Sequence, residues 1–297
     1  MIYDIDIIEE QILKAAFDNK YTPLKCERLF QKLCVQKPML FATVDYNMLA
    51  RCSYNRHDKE VSDVFNNVGR LSYNPNIKTI KLQRCNYPKQ QAFYGAIGLD
   101  NEASTMMSTA IMEVCFEYIK RDDKDTHYMT LSRWQITRPL SVFVLPYSDL
   151  SMSNNFEFKK AKENFDPMIA KVAKDLNVSV NYVRTYLKFI SHIFCIRENK
   201  TNYYKISSAY VNYILNYAAS MNKRVDGVIY PSANTDGAGM NIVLNPDLID
   251  NKIIYADMAI MYKAQRDPNN LKHFGFTDAS NEAHIGQDGK FCFSHIW

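Results

Sequence analysis

The chain has 297 residues, 47% of them hydrophobic and 23% charged, and a formal net charge of +4. Such a balance is ordinary for a globular protein that buries a real core, as one large domain or two small ones. The positive excess is mild and its lysines and arginines alternate with acids, which is a solvated mixed surface and not the clustered basic face of a nucleic-acid binder.

Taken in chain order, residues 1–35 carry Ile8, Ile12, Leu13 and Phe17 on one helical face. A strand is expected over Met39–Tyr46. Asn, Pro and Arg in short irregular pieces over 51–90 are the composition of loops between short strands. A helix returns from Thr105 to Ile119, and the apolar run 138–147, bounded by prolines, predicts a buried strand. Residues 157–219 are the most helical part, in two or three segments. Two short strands, Gly227–Tyr230 and Met240–Leu244, flank the turn-rich 233–239, and the tail after Tyr262 is polar and irregular. Strands, helix, strand, helices, strands is not the strict alternation of a doubly wound sheet, so the expected class is α+β. The expected layout is a helical N-terminal extension, 1–37, packed on a domain of residues 38–297 that carries the helical segment 157–219.

Several chemistries are excluded. Glycine is scarce at 9, and no G-x-G-x-x-G follows a strand, which removes the Rossmann mode of dinucleotide binding. Seven cysteines, at 26, 34, 52, 85, 115, 195 and 292, are odd in number and none are two residues apart. That opposes a zinc ribbon or a disulfide framework and predicts reduced thiols in a cytoplasm. His57, His127, His192, His273, His284 and His295 lack metal-ligand spacing, so no metal is expected. The start MIYDIDIIEEQ lacks a basic region before an apolar run, and no stretch approaches the roughly 18 apolar residues of a membrane span. Neither a leader nor a membrane partner is expected.

Four clusters carry chemistry. They are MLARCSYN around Arg51; QRCNYPKQQAFYGA with Arg84, Asn86, Pro88 and Tyr94; TAIMEV with Glu113; and GVIYPSANTDGAGMNIVL with Ser232 and Asn241. Singly each is weak, since an isolated arginine is usually a surface residue and a serine after proline is a common turn. In combination and order they resemble the RES domain, the NAD-consuming toxin of RES–Xre toxin–antitoxin systems, over roughly residues 38–250. GRLSYNP around Arg70 competes with QRCNYP for the second arginine; Arg84 is preferred because Asn86, Pro88 and the aromatic pair follow it in order. The ten residues from Arg84 to Tyr94 suit a short hairpin.

The resemblance implies an ADP-ribosyltransferase-like fold and NAD as substrate, cleaved between nicotinamide and ribose by hydrolysis or phosphorolysis, or used as donor for protein ADP-ribosylation. The residue types suit that chemistry. Arginine's planar fork grips phosphate oxygens, which makes Arg51 and Arg84 anchors for a diphosphate or ribose. Tyr94 offers a flat face for nicotinamide and a hydroxyl for ribose or phosphate. Nicotinamide leaves as a neutral molecule and the ribose develops oxocarbenium character, which a fixed carboxylate, Glu113, stabilises selectively in the transition state. Ser232 is expected to bond the nicotinamide-side ribose or carboxamide, without acting as a nucleophile, and Asn241 to orient its loop or a phosphate.

A different reading comes from 168–190, MIAKVAKDLNVSVNYVRTYLKFI, which has the look of a helix-turn-helix with Tyr182, Arg184 and Lys188 on its recognition face. The bland alternative is a helix pair packed on the core. Tyr203, Tyr204, Tyr210, Tyr213 and Tyr217 sit at helical spacing and are expected in the core. An enzyme that consumes NAD harms its own cell, so an Xre-like protein antitoxin is the expected partner, with no direct nucleic-acid contact.

Overall fold

A computed structural model of the chain describes residues 5–34, 38–55, 67–98, 103–117, 126–145, 156–197, 200–267 and 270–293. His57, His295, the last two residues of the expected helix ending at Ile119, and Pro146–Tyr147 of the expected strand lie outside them. The N-terminal region forms two helices, α1 (Ile5–Phe17) and α2 (Pro23–Leu33). Thr22 caps α2 by accepting from the Lys25 amide at 3.4 Å, and Pro23 follows in the first turn, where its missing N–H costs nothing. Ile8 and Ile12 are fully buried, and Phe30 of α2 packs against the rings of Tyr210 and Tyr213 at centroid distances of 5.3 and 6.0 Å. Those two tyrosines are therefore core residues, as their spacing predicts.

The strands are β1 (Leu40–Val44), β2 (Met48–Asn55), β3 (Phe93–Ile97), β4 (Thr126–Ile136), β5 (Leu140–Val144), β6 (Gly227–Pro231), β7 (Met240–Leu244), β8 (Ile254–Asp267), β9 (Asn270–Ala279) and β10 (Ala283–His284). They join one mixed sheet in the order β1-β5-β6-β7-β3-β2-β4-β8-β10, with β9 pairing on β8. The β5–β6 pair is parallel and the other pairs are antiparallel. The parallel pair needs a long crossover. It is supplied by α4 (Phe156–Leu176), α5 (Val180–Cys195) and α6 (Lys200–Ser220). With α3 (Ala103–Glu117) between β3 and β4 and the single turn α7 (Asp247–Asp250), the class is α+β.

Two regions differ from expectation. The tail after Tyr262 is not irregular: β8 and β9 form a long antiparallel ladder. Its alternation is hidden because the register with β4 slips between Arg133 and Trp134, leaving Asp257 as an extra residue on β8. Ile254, Ala256 and Met258 are buried before or around the bulge, and Ala259 and Met261 after it, so the period-two parity flips midway. The second is β4, in a stretch for which no element is expected from the sequence. It is flanked by β2 and β8 and buries polar His127, Thr130 and Ser132 as well as Met129, Leu131 and Trp134. A strand covered on both faces shows no alternation.

The segment 168–190 does contain a tight helix–helix junction. Asn177 adopts φ 52°, and Ser179 caps α5 by accepting from the Tyr182 amide at 3.0 Å. Yet α5 buries Val183, Tyr186, Leu187, Phe189, Ile190, Ile193 and Phe194, and Arg184 is paired with Asp166 at 3.1 Å. The helix pair is packed on the larger core through these buried residues. No helix among the described residues is long and apolar enough to cross a membrane.

The core has two parts. The larger one joins α1, α2, α5 and α6 to the sheet; the smaller holds Met106, Ala110, Val114 and Cys115 of α3 against Ala50, Cys52 and Tyr54 of β2. Alternate residues of β2 thus serve α3, while Leu49 belongs to the larger core. The candidate site lies where these two cores approach each other.

Candidate functional site

β2 is laddered to β4 along its whole length, and β3 to β7 likewise. Between themselves β2 and β3 pair at one position only, Ala50 with Ala96. Gly95 permits this close approach, since a Cβ there would stand 2.8 Å from Leu49 Cδ1 and 3.1 Å from the Ala50 carbonyl oxygen. Away from that point the strands part, and a cavity of about 400 Å³ opens beside them. β2 supplies Arg51, β3 Tyr94, and α3 Glu113; Lys81 and Arg84 come from the loop before β3. Tyr230, Asn234 and Asn241 come from β6, the following turn and β7, and Tyr204 from α6.

Glu113 is the most constrained of these groups. Its Oε1 accepts from Ser232 Oγ at 2.7 Å and from Asn241 Nδ2 at 2.6 Å, and its Oε2 accepts from Asn234 Nδ2 at 2.5 Å. Ser232 is fully buried and the two asparagines nearly so. The turn reaches α3 because Gly239 lies against Thr109, where a Cβ would come within 1.9 Å of Oγ1. Thr109 and Glu113 are four residues apart and share a helix face, so the contact at one delivers the donors to the other. A carboxylate offers about four acceptor positions. These donors take three, and the remaining one lies on Oε2. All three donors are neutral, so they fix the carboxylate without cancelling its charge.

The guanidiniums are held differently. Arg51 Nη1 donates to the Tyr94 carbonyl at 2.5 Å, and its Cζ stands 5.2 Å from the centroid of the Phe93 ring. Arg84 Nη1 donates to the Phe194 carbonyl, and its Cζ is 5.0 Å from the Tyr204 centroid. Each guanidinium thus has a carbonyl and an aromatic ring among its contacts. Burial opposes the Arg84 charge, but Tyr204, Tyr230, Glu113 and Cys85 outweigh it and move the pKa up. Burial also holds the Tyr94 and Tyr230 phenols well above their ordinary range, so both remain neutral. The Cys85 thiol is pushed up to about 12 and Cys52 is also raised, both by burial first, so neither supplies a thiolate. None of the seven cysteines is in a disulfide.

No family model and no curated protein matches the chain.

Arg51, Arg84, Tyr94, Glu113 and Asn241 all line the one cavity, and Ser232 is bonded to Glu113 behind it. Arg70 is not among the residues that line it, and its Nη2 donates to the Tyr54 carbonyl at 2.6 Å, whereas Arg84 is on the lining. Three expected roles change. The Tyr94 hydroxyl is occupied, donating to Asn86 Oδ1 at 2.7 Å and accepting from the Cys85 amide at 3.0 Å. Asn86 in turn donates to the Lys81 and Tyr87 carbonyls at 3.2 and 2.9 Å. The Asn and Tyr of this motif thus build the loop that presents Arg84, and that loop is not a hairpin. Ser232 spends its hydroxyl proton on Glu113 and not on a ligand. Asn241 likewise orients Glu113.

Sequence reasoning missed Asn234, Lys81, Tyr204 and Tyr230. Asn234 sits in the turn already singled out, two residues after Ser232, and an amide in a buried turn is a signal that was there to use. Tyr204 was expected in the core, and its helical spacing gives no hint of a cavity wall. A larger groove of about 680 Å³, bounded by Tyr73, Trp134, Asp250 and Tyr255, lies elsewhere. Its acid, Asp250, accepts from the Tyr73 hydroxyl at 2.7 Å. It lacks the opposed carboxylate and guanidiniums of the smaller cavity. Among the described residues no group of histidines, cysteines and acids could hold a metal ion.

Proposed function

We propose that the chain cleaves NAD at the bond between nicotinamide and ribose. The observation that carries this reading is a half-buried carboxylate, Glu113, fixed by three neutral donors in the same cavity as Arg51 and Arg84. Two guanidiniums suit a diphosphate, and Lys81 on the same wall adds a third cation. The acceptor position left on Glu113 Oε2 suits one ribose hydroxyl. As nicotinamide departs with the bonding electrons, positive charge passes from the pyridinium ring to the ribose, towards the carboxylate. The order of the motifs, which resembles that of the RES domain, supports the choice of NAD among diphosphates.

The test is direct. Purified protein is incubated with NAD, with and without inorganic phosphate and with cell extract, and products are identified by mass. Free ADP-ribose, its phosphate ester or an ADP-ribosylated protein would each support the reading and name the acceptor. Intact NAD under all three conditions refutes it.

A further inference from the structure

Arg197, two residues past the end of α5, joins the helical crossover to the turn that holds Glu113. Its Nε donates to the Ala233 carbonyl and its Nη2 to Asp236 Oδ1 at 2.6 Å. Ala233 lies between Ser232 and Asn234, the two turn residues that donate to Glu113, and it is buried. Its carbonyl accepts from the Asp236 amide within the turn at 3.4 Å, and Arg197 supplies a second, charged donor from outside it. The turn otherwise closes on itself, with the Ser232 amide donating to Gly239 at 2.8 Å and the Gly237 amide to Ser232 at 2.7 Å. Asp236 sits at φ 52°, a left-handed conformation that is retained only where neighbours enforce it. The ion pair with Asp236, whose side chain is 74% exposed, contributes little by itself. The bond to Ala233 is the restraint that matters.

We propose that Arg197 is a positioning residue: by pinning the Ala233 carbonyl it fixes Ser232 and Asn234, and through them the Glu113 carboxylate. The structural half stands on this geometry alone, and its kinetic consequence rests on the NAD-cleaving reading. In Arg197→Ala, kcat for NAD falls about 10- to 100-fold, the effect of a small misplacement of a reacting group, while KM stays within about two-fold. Arg197→Lys recovers only part of kcat, because one ammonium cannot serve the Ala233 carbonyl and Asp236 with the geometry of a fork.

Amide hydrogen exchange tests the structural half without any substrate. Exchange at Ser232 and Gly237 is expected to quicken about 10-fold or more in Arg197→Ala, with Ile260 and Met261 in β8 unchanged. Should Arg197→Ala fail to fold, Arg197→Lys is put through the same measurement. Unchanged exchange at Ser232 and Gly237 in a folded variant overturns the proposal whatever the substrate. So does faster exchange with an undiminished kcat in a protein whose wild type cleaves NAD. A wild type that leaves NAD intact sinks the functional reading alone, and the exchange result still decides the role of Arg197.

Discussion

Glu113→Gln removes one charge and almost no volume, and its consequence can be worked out in advance. In NAD the positive charge begins on the pyridinium ring and moves to the ribose. For a carboxylate about 6 Å from the ring and about 4 Å from the ribose, an effective dielectric constant of about 20 gives attractions of about 3 and 4 kcal/mol. The difference, about 1.4 kcal/mol, is about tenfold in rate. A ribose hydroxyl donating to the open position on Oε2 makes a charge-assisted bond that contributes about 1.5–3 kcal/mol, or about 10- to 100-fold. The expected loss in kcat is therefore about 10²- to 10³-fold. The fold should survive. The partner of Oε2 is the Asn234 amide, which can turn over and offer its oxygen to the new NH₂ group, while Ser232 and Asn241 keep their bonds to the other oxygen. Initial rates of NAD loss, measured beside thermal unfolding of both proteins, check this. A folded Glu113→Gln that retains a third or more of the wild-type kcat refutes the assigned role.

Three further outcomes follow from the same geometry. Arg84→Ala should raise KM for NAD about 10- to 100-fold, the worth of a charged hydrogen bond, and Arg84→Lys should recover little of it; an unchanged KM in initial-rate measurements counts against a diphosphate contact. Burial acts to raise the Asp226 pKa, but bonds from Arg138 at 2.9 Å on both oxygens, from the Ser141 amide and from Arg224 outweigh it and hold the carboxyl below its ordinary value. Because the folded pKa is the lower one, this stabilisation is present above the unfolded value near 3.8 and is lost as pH falls through the folded value. Asp226→Asn should thus cost about 2 kcal/mol at neutral pH and flatten the acid decline of the urea midpoint below about pH 4, whereas an unchanged decline would deny the linkage. Gly239→Ala should drive the turn off α3, lowering stability by about 1–3 kcal/mol together with kcat, and Thr109→Ala in the same chain should restore part of both, since it removes the Oγ1 and Cγ2 atoms in the way. Absence of rescue in the double variant would place the clash elsewhere.

Much of this fold was legible where local chemistry and tertiary need agree. Met240–Leu244 is a strand with the expected bounds because it is apolar except at Asn241 and starts at a glycine turn. Residues 1–35 read as helical, but the break that the Thr22 cap makes between α1 and α2 is not part of that reading. β8 was not legible past Tyr262, because the bulge at Asp257 inverts the parity on which alternation depends; the extra side chain is used, accepting from Arg133 Nε at 3.0 Å and from Gln135 at 2.8 Å. At the site, the arginines, the glutamate and the serine could be picked out from order and type. Their bonding could not. A tyrosine after an asparagine loop looks the same in sequence whether its hydroxyl meets a ligand or, as here, Asn86. Tyr204 and Arg197 belong to the crossover between parallel strands, and only the sheet order shows that this crossover returns to the cavity.

The way each charge is held bears on why the arrangement suits the proposed chemistry. Had Glu113 been paired directly with Arg51 or Arg84, the mutual attraction would cancel both fields and a ligand would have to break the pair to enter. Instead the carboxylate takes hydroxyl and amide donors, and the guanidiniums take carbonyls and rings. Neutral partners orient a charge without neutralising it, so the cavity keeps a negative pole on α3 and a positive pole on the Arg84 loop, with Arg51 of β2 on the same lining. A substrate with a diphosphate at one end and a carbon that becomes cationic at the other meets both poles in the right sense. The positive pole acts on a charge already present and favours binding; the negative pole acts on a charge that shifts during reaction and favours the transition state. Hence the two kinds of variant should separate, the arginines in KM and Glu113 in kcat, and a common loss in both would mean that the poles do not act on different parts of one molecule.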